Sequence, residues 1–251
     1  MITMQPLASE AAPDCGSSGL VVVSVVSHGH KHQVQGLLND LVRFSRGRIS
    51  RVVLTLKQPE AAPQPPAAGW PFALHIVRNI RPLGFGANHN RALSGAGEPF
   101  VCVLNPDVRW DGCDPLEAMV QAAAQPGVGC SYPVQIDNVG CWQDSARALP
   151  TPAALFRRRV LGQREARVDW VNAACLVLPQ PVWQRLQGFD EAYFMYCEDV
   201  DLCLRLRLAG LALAPAPAQV VHAGQRASHR RWLHLRWHVQ SLLHLWRSSV
   251  Y

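Results

Sequence analysis

Apolar positions along the chain switch between two spacings, and the switches mark out the elements. Leu20 to Val26 is an unbroken, mostly β-branched run of strand length, as in a strand buried on both faces of a parallel sheet. After Ser27-His28-Gly29-His30, Val34, Leu37, Leu38 and Leu41 fall at helical spacing between Gln33 and Phe44. Arg51 to Leu56 and Ala73 to Val77 read as strands, separated by a Pro/Ala-rich surface connection from Gln58 to Pro71. Ala87 to Leu93 opens a short helix, Phe100 to Leu104 is another buried strand, Pro115 to Ala124 a helix and Gly127 to Pro133 a strand. Val168 to Leu178 reads as one strand with small residues at its middle, and Pro181 to Leu186 as one or two helical turns. From Glu198 onward Val200, Leu204 and Leu208 form a helical stripe. Leu211 to Ala214 is a short strand, and Val220 to Gly224 ends another. Strands alternating with helices predict an α/β fold, a central mostly parallel sheet flanked by helices. A C-terminal amphipathic helix over 230–251 follows, with Trp232, Leu235, Val239, Leu242 and Trp246 on one side.

A length of 251 residues fits one large α/β domain or two small ones, and a hydrophobic content of 49% supports a real core. No apolar run approaches the roughly 18 residues that span a bilayer. Residues 1–19 lack a basic region followed by an apolar core, so they read as a disordered leader rather than a signal peptide. None of the eight cysteines forms a C-x-x-C pair, and Cys102, Cys175 and Cys203 lie in apolar segments. That pattern points to reduced thiols and a cytoplasmic location, not to disulfides or a zinc site. The net charge of +6 calls for a polyanionic partner, with nucleotide diphosphates, nucleic acid and anionic lipid all open.

Carboxylates crowd the stretch from Gly188 to Arg205, with Asp190 and Glu191 separated from Glu198, Asp199 and Asp201 by an aromatic run. Helix-start carboxylates are ordinary, and Asp201 is placed to pair with Arg205 one turn on. Two adjacent acids behind an aromatic approach are also a setting for a base of raised pKa. Upstream, Arg78 to Leu93 holds two glycines, three asparagines and three arginines, either a solvated loop or donors for phosphate and sugar. Asp107 follows a central strand, where a carboxylate is either a turn residue or a holder of a divalent ion against a diphosphate. The Trp- and Arg-rich tail is suited either to docking on the domain or to a membrane interface. Ile136 to Gly162, with Arg147 and Arg157 to Arg159, reads as a solvated loop.

Taken together, the strand Leu20 to Val26, the loop Leu83 to Asn90, Leu104-Asn105-Pro106-Asp107-Val108 and Gly188 to Arg205 resemble the family 2, GT-A type glycosyltransferases, in particular the rhamnosyltransferase-like branch. The resemblance spans Leu20 to about Ser228, so it implies a single GT-A (Rossmann-like) domain over 20–229. Its nucleotide half would be 20–110 and its acceptor half 111–229. The implied activity is inverting transfer of a sugar, rhamnose in this branch, from a dTDP- or UDP-sugar to a saccharide or lipid-linked acceptor in surface polysaccharide synthesis. Carried over residue by residue, Asp199 becomes the general base with Glu198 beside it. Asp107 and His222 become ligands of Mg2+ or Mn2+. Ser27, His28, Gly86, Asn88, Asn90, Asn105 and Asp107 would contact the nucleotide-sugar, and Asp190, Glu191 and Trp170 the acceptor side.

The chain departs from the family where Ser27-His28-Gly29 replaces Thr-Tyr-Asn, where Leu56-Lys57-Gln58 replaces a closing Asp-Asn, and where Asn105 replaces a first Asp. No nucleic-acid partner is implied, and the protein would sit in the cytoplasm, peripheral at the inner membrane face. Two rivals remain at this level. A sugar-phosphate nucleotidyltransferase would carry a Gly-rich, Arg-containing loop after the first strand. A basic, non-catalytic nucleic-acid-binding module would use the charge alone.

Overall fold

In the computed structural model of the protein, residues 20–79, 82–151, 156, 160, 162, 167–223, 232–248 and 250 are described. The chain runs β1 (Val21–Ser27), α1 (Lys31–Phe44), β2 (Ile49–Leu56), β3 (Ala73–Arg78), α2 (Phe85–Leu93), β4 (Phe100–Leu104), β5 (Val108–Trp110) and α3 (Pro115–Ala123). It continues through β6 (Val128–Ile136), β7 (Ala146–Arg147), β8 (Trp170–Val171), β9 (Cys175–Pro179), α4 (Gln180–Leu186), α5 (Glu198–Leu208), β10 (Ala212–His222) and α6 (Trp232–Arg247). The expected leader over 1–19, Arg157 to Arg159, Arg230, Arg231 and Tyr251 lie outside the described residues.

One sheet of eight strands has the order β3-β2-β1-β4-β9-β6-β10-β5, and β7 pairs with β8 in a separate ribbon. Strands β3, β2, β1 and β4 are parallel, with β1 and β4 buried on both faces and β3 at the part-exposed edge. Within β1 the valines divide between the two layers. Val21, Val23 and Val25 pack under α1 and α3, while Val22 joins Val101, Val103 and Leu176 under α2, α4 and α5. With α1 on one face and α2 on the other, a crevice opens at the C-terminal ends of β1 and β4, where open α/β sheets bind ligands.

The sheet is mostly parallel, as expected, with two strands reversed. Strand β9 runs antiparallel to both β4 and β6, and β5 antiparallel to β10. From the end of β6 the chain passes through the β7–β8 ribbon and re-enters the sheet between β4 and β6, antiparallel to both.

The single strand expected over Val168 to Leu178 is two strands. Asn172 breaks it by turning its side chain onto Gln135 and onto the Ala174 N–H. Conversely, the two strands expected after Leu211 are one. Pro215 and Pro217 fall in a register shift between Pro215 and Gln219, where a missing N–H costs no ladder bond.

Helix α6 packs on the segment before α5. Leu245 is buried with Tyr193, Cys197, Val200 and Leu204, and Ser241 Oγ donates to the Met195 carbonyl at 2.8 Å. This splits the apolar stripe read from the sequence. Leu242 and Trp246 turn partly inward, while Trp232, Leu235, Val239 and Leu243 face solvent. Among the described residues no helix is long and apolar enough to cross a membrane.

Candidate active site

The turn after β4 puts Asp107 at the mouth of the crevice. Asn105 N–H donates to the Ala174 carbonyl at 2.8 Å and Ala223 N–H to the Asp107 carbonyl at 3.1 Å, so β9 and the end of β10 hold it from both sides. Opposite stands His222, its Nε2 3.5 Å from Asp107 Oδ1. Burial pushes the Asp107 carboxyl upward, but the His222 imidazole outweighs that and holds it below the ordinary carboxylate value.

The orientation of His222 is dictated from behind. Gln135 and Asn172 form a reciprocal amide pair, Gln135 Nε2 to Asn172 Oδ1 at 2.6 Å and Asn172 Nδ2 to Gln135 Oε1 at 3.1 Å. A reciprocal pair could flip as a unit, but Asn172 Oδ1 also accepts from Ala174 N–H at 3.3 Å, which fixes its oxygen. Gln135 Oε1 therefore faces His222 Nδ1 at 3.1 Å, so the Nδ1–H donates to it. That leaves Nε2 turned toward Asp107, the arrangement usual behind a metal-binding imidazole.

Two consecutive non-glycine residues in left-handed conformation, Tyr196 at φ 73° and Cys197 at φ 65°, precede α5. Such residues cost about 1–3 kcal/mol each and persist where packing imposes them, here through the contact with α6. They set the first turn of α5 so that Glu198 is buried, with Oε2 unpartnered, while Asp199 is only partly covered. Burial raises both carboxyls, and Glu198 further through Asp199 beside it. Asp199 rises to about 6, against the opposing pull of backbone N–H groups, Ala173's among them, and of Arg147. A partly exposed carboxylate with that value is suited to accept a proton near neutral pH. Asp201 differs: it pairs with Arg205 at 2.7 Å, whose other nitrogens bond the Leu186 and Gly188 carbonyls.

The strand break at Asn172–Ala174 thus ties the two halves together. Asn172 steers Gln135 and His222 toward Asp107, and the backbone of the next residue, Ala173, draws the Asp199 carboxyl downward against burial.

The Gly-rich loop behaves otherwise than its residue types implied. Asn88 is buried, with Nδ2 given to the Leu83 and Gly84 carbonyls and Oδ1 to Asn79. Asn90 brackets the Phe189 backbone, accepting from its N–H and donating to its carbonyl, both at 2.8 Å. A Cβ on Gly86 would lie 2.6 Å from Phe189 Cβ, and one on Gly84 2.7 Å from the Phe194 carbonyl. Here the close approach is to the chain itself. Gly86 and Asn90 clasp the acidic segment while Asn88 braces the loop itself, and the side-chain donors of both asparagines are already used. His89 is also turned inward, to Ser24 Oγ, and burial takes it down to about 3.

On the acceptor side, Asp190 closes a turn onto Ala192 N–H and exposed Glu191 accepts from Asn90. Trp170 donates to the Ala148 carbonyl at 2.9 Å and lies under the Arg147 guanidinium. At the end of β1, buried Ser27 donates to both oxygens of Glu60, which also accepts from Gly29 N–H at 2.8 Å, while His28 stays exposed. Sequence reasoning passed over Glu60 and Gln135. Glu60 did carry a signal, as the lone charged residue of the 58–71 connection. Gln135 carried none, because its role depends on two partners distant in sequence.

No family model matches the chain. It is 33% identical over 171 residues to the N-acetylglucosaminyl-diphospho-decaprenol L-rhamnosyltransferase of Mycobacterium tuberculosis, a match covering 56% of this chain and 55% of that one. Thus the chain spans about half the length of that relative. To the rhamnosyltransferase WbbL of Escherichia coli it is 28% identical over 250 residues, 88% of this chain and 90% of WbbL. Among solved structures, the mannosyltransferase PcManGT of Pyrobaculum calidifontis, in complex with GDP-Man and Mn2+, superposes with a TM-score of 0.63 at 18% identity. The superposition covers 96% of this chain and 68% of that one. A glucosyl-3-phosphoglycerate synthase of M. tuberculosis, held with Mn2+, UDP and product, gives 0.62 at 11% identity over 91% and 80%. The architecture is therefore the GT-A fold of glycosyltransferases. Within that fold the chain is similar in sequence to the bacterial, rhamnosyltransferase-like proteins of family 2.

Proposed function

We propose that the protein transfers a sugar, with inversion, from a nucleotide-sugar to a hydroxyl of a saccharide or lipid-linked acceptor in surface polysaccharide synthesis. Rhamnose is the sugar named in the relatives' activities, and we take its donor to be a dTDP-sugar, with a UDP-sugar as the competing choice. The observation that carries this reading is Asp107 facing His222 at the end of β4, oriented through the Asn172 break, with Asp199 raised at the start of α5. An attacking hydroxyl must lose a proton as the diphosphate departs, and Asp199 is the group to take it. Burial and the neighbouring Asp199 push the Glu198 carboxyl behind it well upward, which disfavours a second negative charge in the pair.

Asp107 and His222 would hold Mg2+ or Mn2+. Among the described residues no three His, Cys, Asp or Glu converge on a closed site, but a carboxylate and an imidazole suit an ion sharing its shell with phosphates. When bound, such an ion neutralises charge developing on the leaving diphosphate. This chain's own residues hold the orientation, through Gln135 and Asn172.

The reading is tested by thermal stabilisation of the full chain with dTDP, UDP and GDP, each with and without Mn2+ or Mg2+. One diphosphate is expected to stabilise selectively, by about 2.7 kcal/mol at a hundredfold excess over Kd, and Asp107→Asn should abolish the metal-dependent part. No response to any nucleotide or nucleotide-sugar would overturn it.

We further place the protein in the cytoplasm, at the inner membrane face. The outward stripe of α6, Trp232 (88% exposed), Leu235, Val239 and Leu243, is flanked by Arg236 and Arg247, the composition of an interfacial helix. Full-length protein should float with vesicles containing phosphatidylglycerol. Leu235→Glu with Val239→Glu should release it while leaving the melting temperature unchanged. Equal flotation of both proteins would remove the membrane contact.

A further inference from the structure

Basic side chains from three distant parts of the sequence meet beside the Asp107 site. His28 and His30 occupy the β1–α1 turn, where the His28 N–H donates to His30 Nδ1 at 2.9 Å. Lys57 ends β2, its N–H bonded to the Ser27 carbonyl at 3.0 Å and its Nζ 5.6 Å from the centroid of the Phe194 ring. Helix α6 supplies His234, whose Nδ1 lies 2.9 Å from the Tyr196 hydroxyl. Trp237 is wedged between Phe194 and His234, at ring distances of 5.0 and 5.1 Å, so the aromatic run before the catalytic pair holds both Lys57 and His234 in place. Gln58 Nε2 lies 3.0 Å from His28 Nε2.

Glu60, the nearby carboxylate, acts on His28 from beyond ion-pair distance. Both its oxygens already accept from Ser27, with Oε1 also taking the Gly29 N–H. Among the described residues no carboxylate pairs with Lys57 or His28. Burial first, then Lys57, His30 and His234, depress the His28 pKa, and burial depresses that of Lys57. Bases gathered at the cost of their own charged forms, at the C-terminal ends of two parallel strands, form an anion site waiting for its anion.

We infer that His28, Lys57 and His234 bind a diphosphate, with the C-terminal helix completing a site that the sheet begins. The inference deepens the glycosyl-transfer reading and rests on it for the identity of the ligand. That diphosphate is either the one leaving the donor or the one joining an acceptor sugar to its lipid. A site shared by three separated bases fits two linked phosphates better than a lone carboxylate.

Calorimetric titration of the full chain tests it, with the nucleoside diphosphate found by thermal screening and with geranyl diphosphate as a soluble prenyl diphosphate. Lys57→Ala and His234→Gln should each weaken the ligand of this site about tenfold or more, as loss of a charge-assisted contact implies. Weakening of the nucleoside diphosphate alone assigns the site to the donor, and of the prenyl diphosphate alone to the acceptor. Binding should also take up protons near pH 6.5, because the anion restores the charged form of His28, and His28→Gln should reduce that uptake. A merely structural role would leave proton uptake unmoved.

Unchanged affinities for both ligands in both folded variants would overturn the inference while leaving the Asp107-dependent reading intact. If the wild-type chain bound no nucleoside diphosphate, yet held geranyl diphosphate through Lys57 and His234, the site would stand and the glycosyl-transfer reading would fall.

Discussion

Asp199→Asn is expected to lower turnover by about 10²–10⁴-fold and, at neutral pH, to make the protein more stable. The two effects share one cause. The folded state raises the Asp199 carboxyl to about 6 from an ordinary 3.8, chiefly by burial. Between those values the native state binds more protons than the unfolded state, so stability falls as pH climbs from about 4 to about 6. Above that range the ionised carboxylate costs the fold roughly 1–3 kcal/mol, a cost the uncharged amide does not carry. Urea melts at pH 7.5 should therefore favour the variant, with the gap closing near pH 4. Donor binding, which depends on other residues, should be nearly unchanged. Wild-type turnover should rise with pH through about 6, as the base loses its proton. Near-normal turnover in the variant would sink the assignment of Asp199, whereas lost stability would show that its carboxylate is structural.

The largest loss of stability is expected from Gly188→Ala. Gly188 has φ +68°, and an added Cβ would fall 2.2 Å from Asn90 Oδ1 and 2.8 Å from Trp183 Cζ2. Asn90 Oδ1 is the acceptor for Phe189 N–H, so the methyl group would strain the backbone and unlatch the clasp that carries the acidic segment. Backbone strain of about 1 kcal/mol, overpacking of 1–3 and a disturbed buried hydrogen bond together give roughly 2–4 kcal/mol. Gly95→Ala is the matched control. Gly95 has the same φ of +68° with no atom within 4 Å of the new methyl, so only the backbone cost of about 1 kcal/mol applies. Chemical denaturation of the two variants checks the difference. Equal losses would show that the clasp gives way freely.

These two residues mark the line between what is legible in the sequence and what is not. The acidic pair at 198–199 and the Asp after β4 are recognisable because each sits at an element boundary that local patterning predicts: a helix start and a strand end. Asp201 and its Arg205 partner are legible for the same reason, being one helical turn apart. The Gly-rich loop is conspicuous too, but composition cannot tell whether glycines admit a ligand or another stretch of the same chain. Packing of Gly86 against Phe189 decides that.

The sequence by itself determined the α/β alternation, the buried strands β1 and β4, and the helix that begins at Glu198, because each is written in the spacing of neighbouring residues. Only the tertiary structure decided that β9 returns antiparallel, that Asn172 breaks a strand to steer Gln135 and His222, and that α6 brings His234 to Lys57. Those depend on contacts between residues tens of positions apart, where hydrogen bonds and packing, not local periodicity, select the partner.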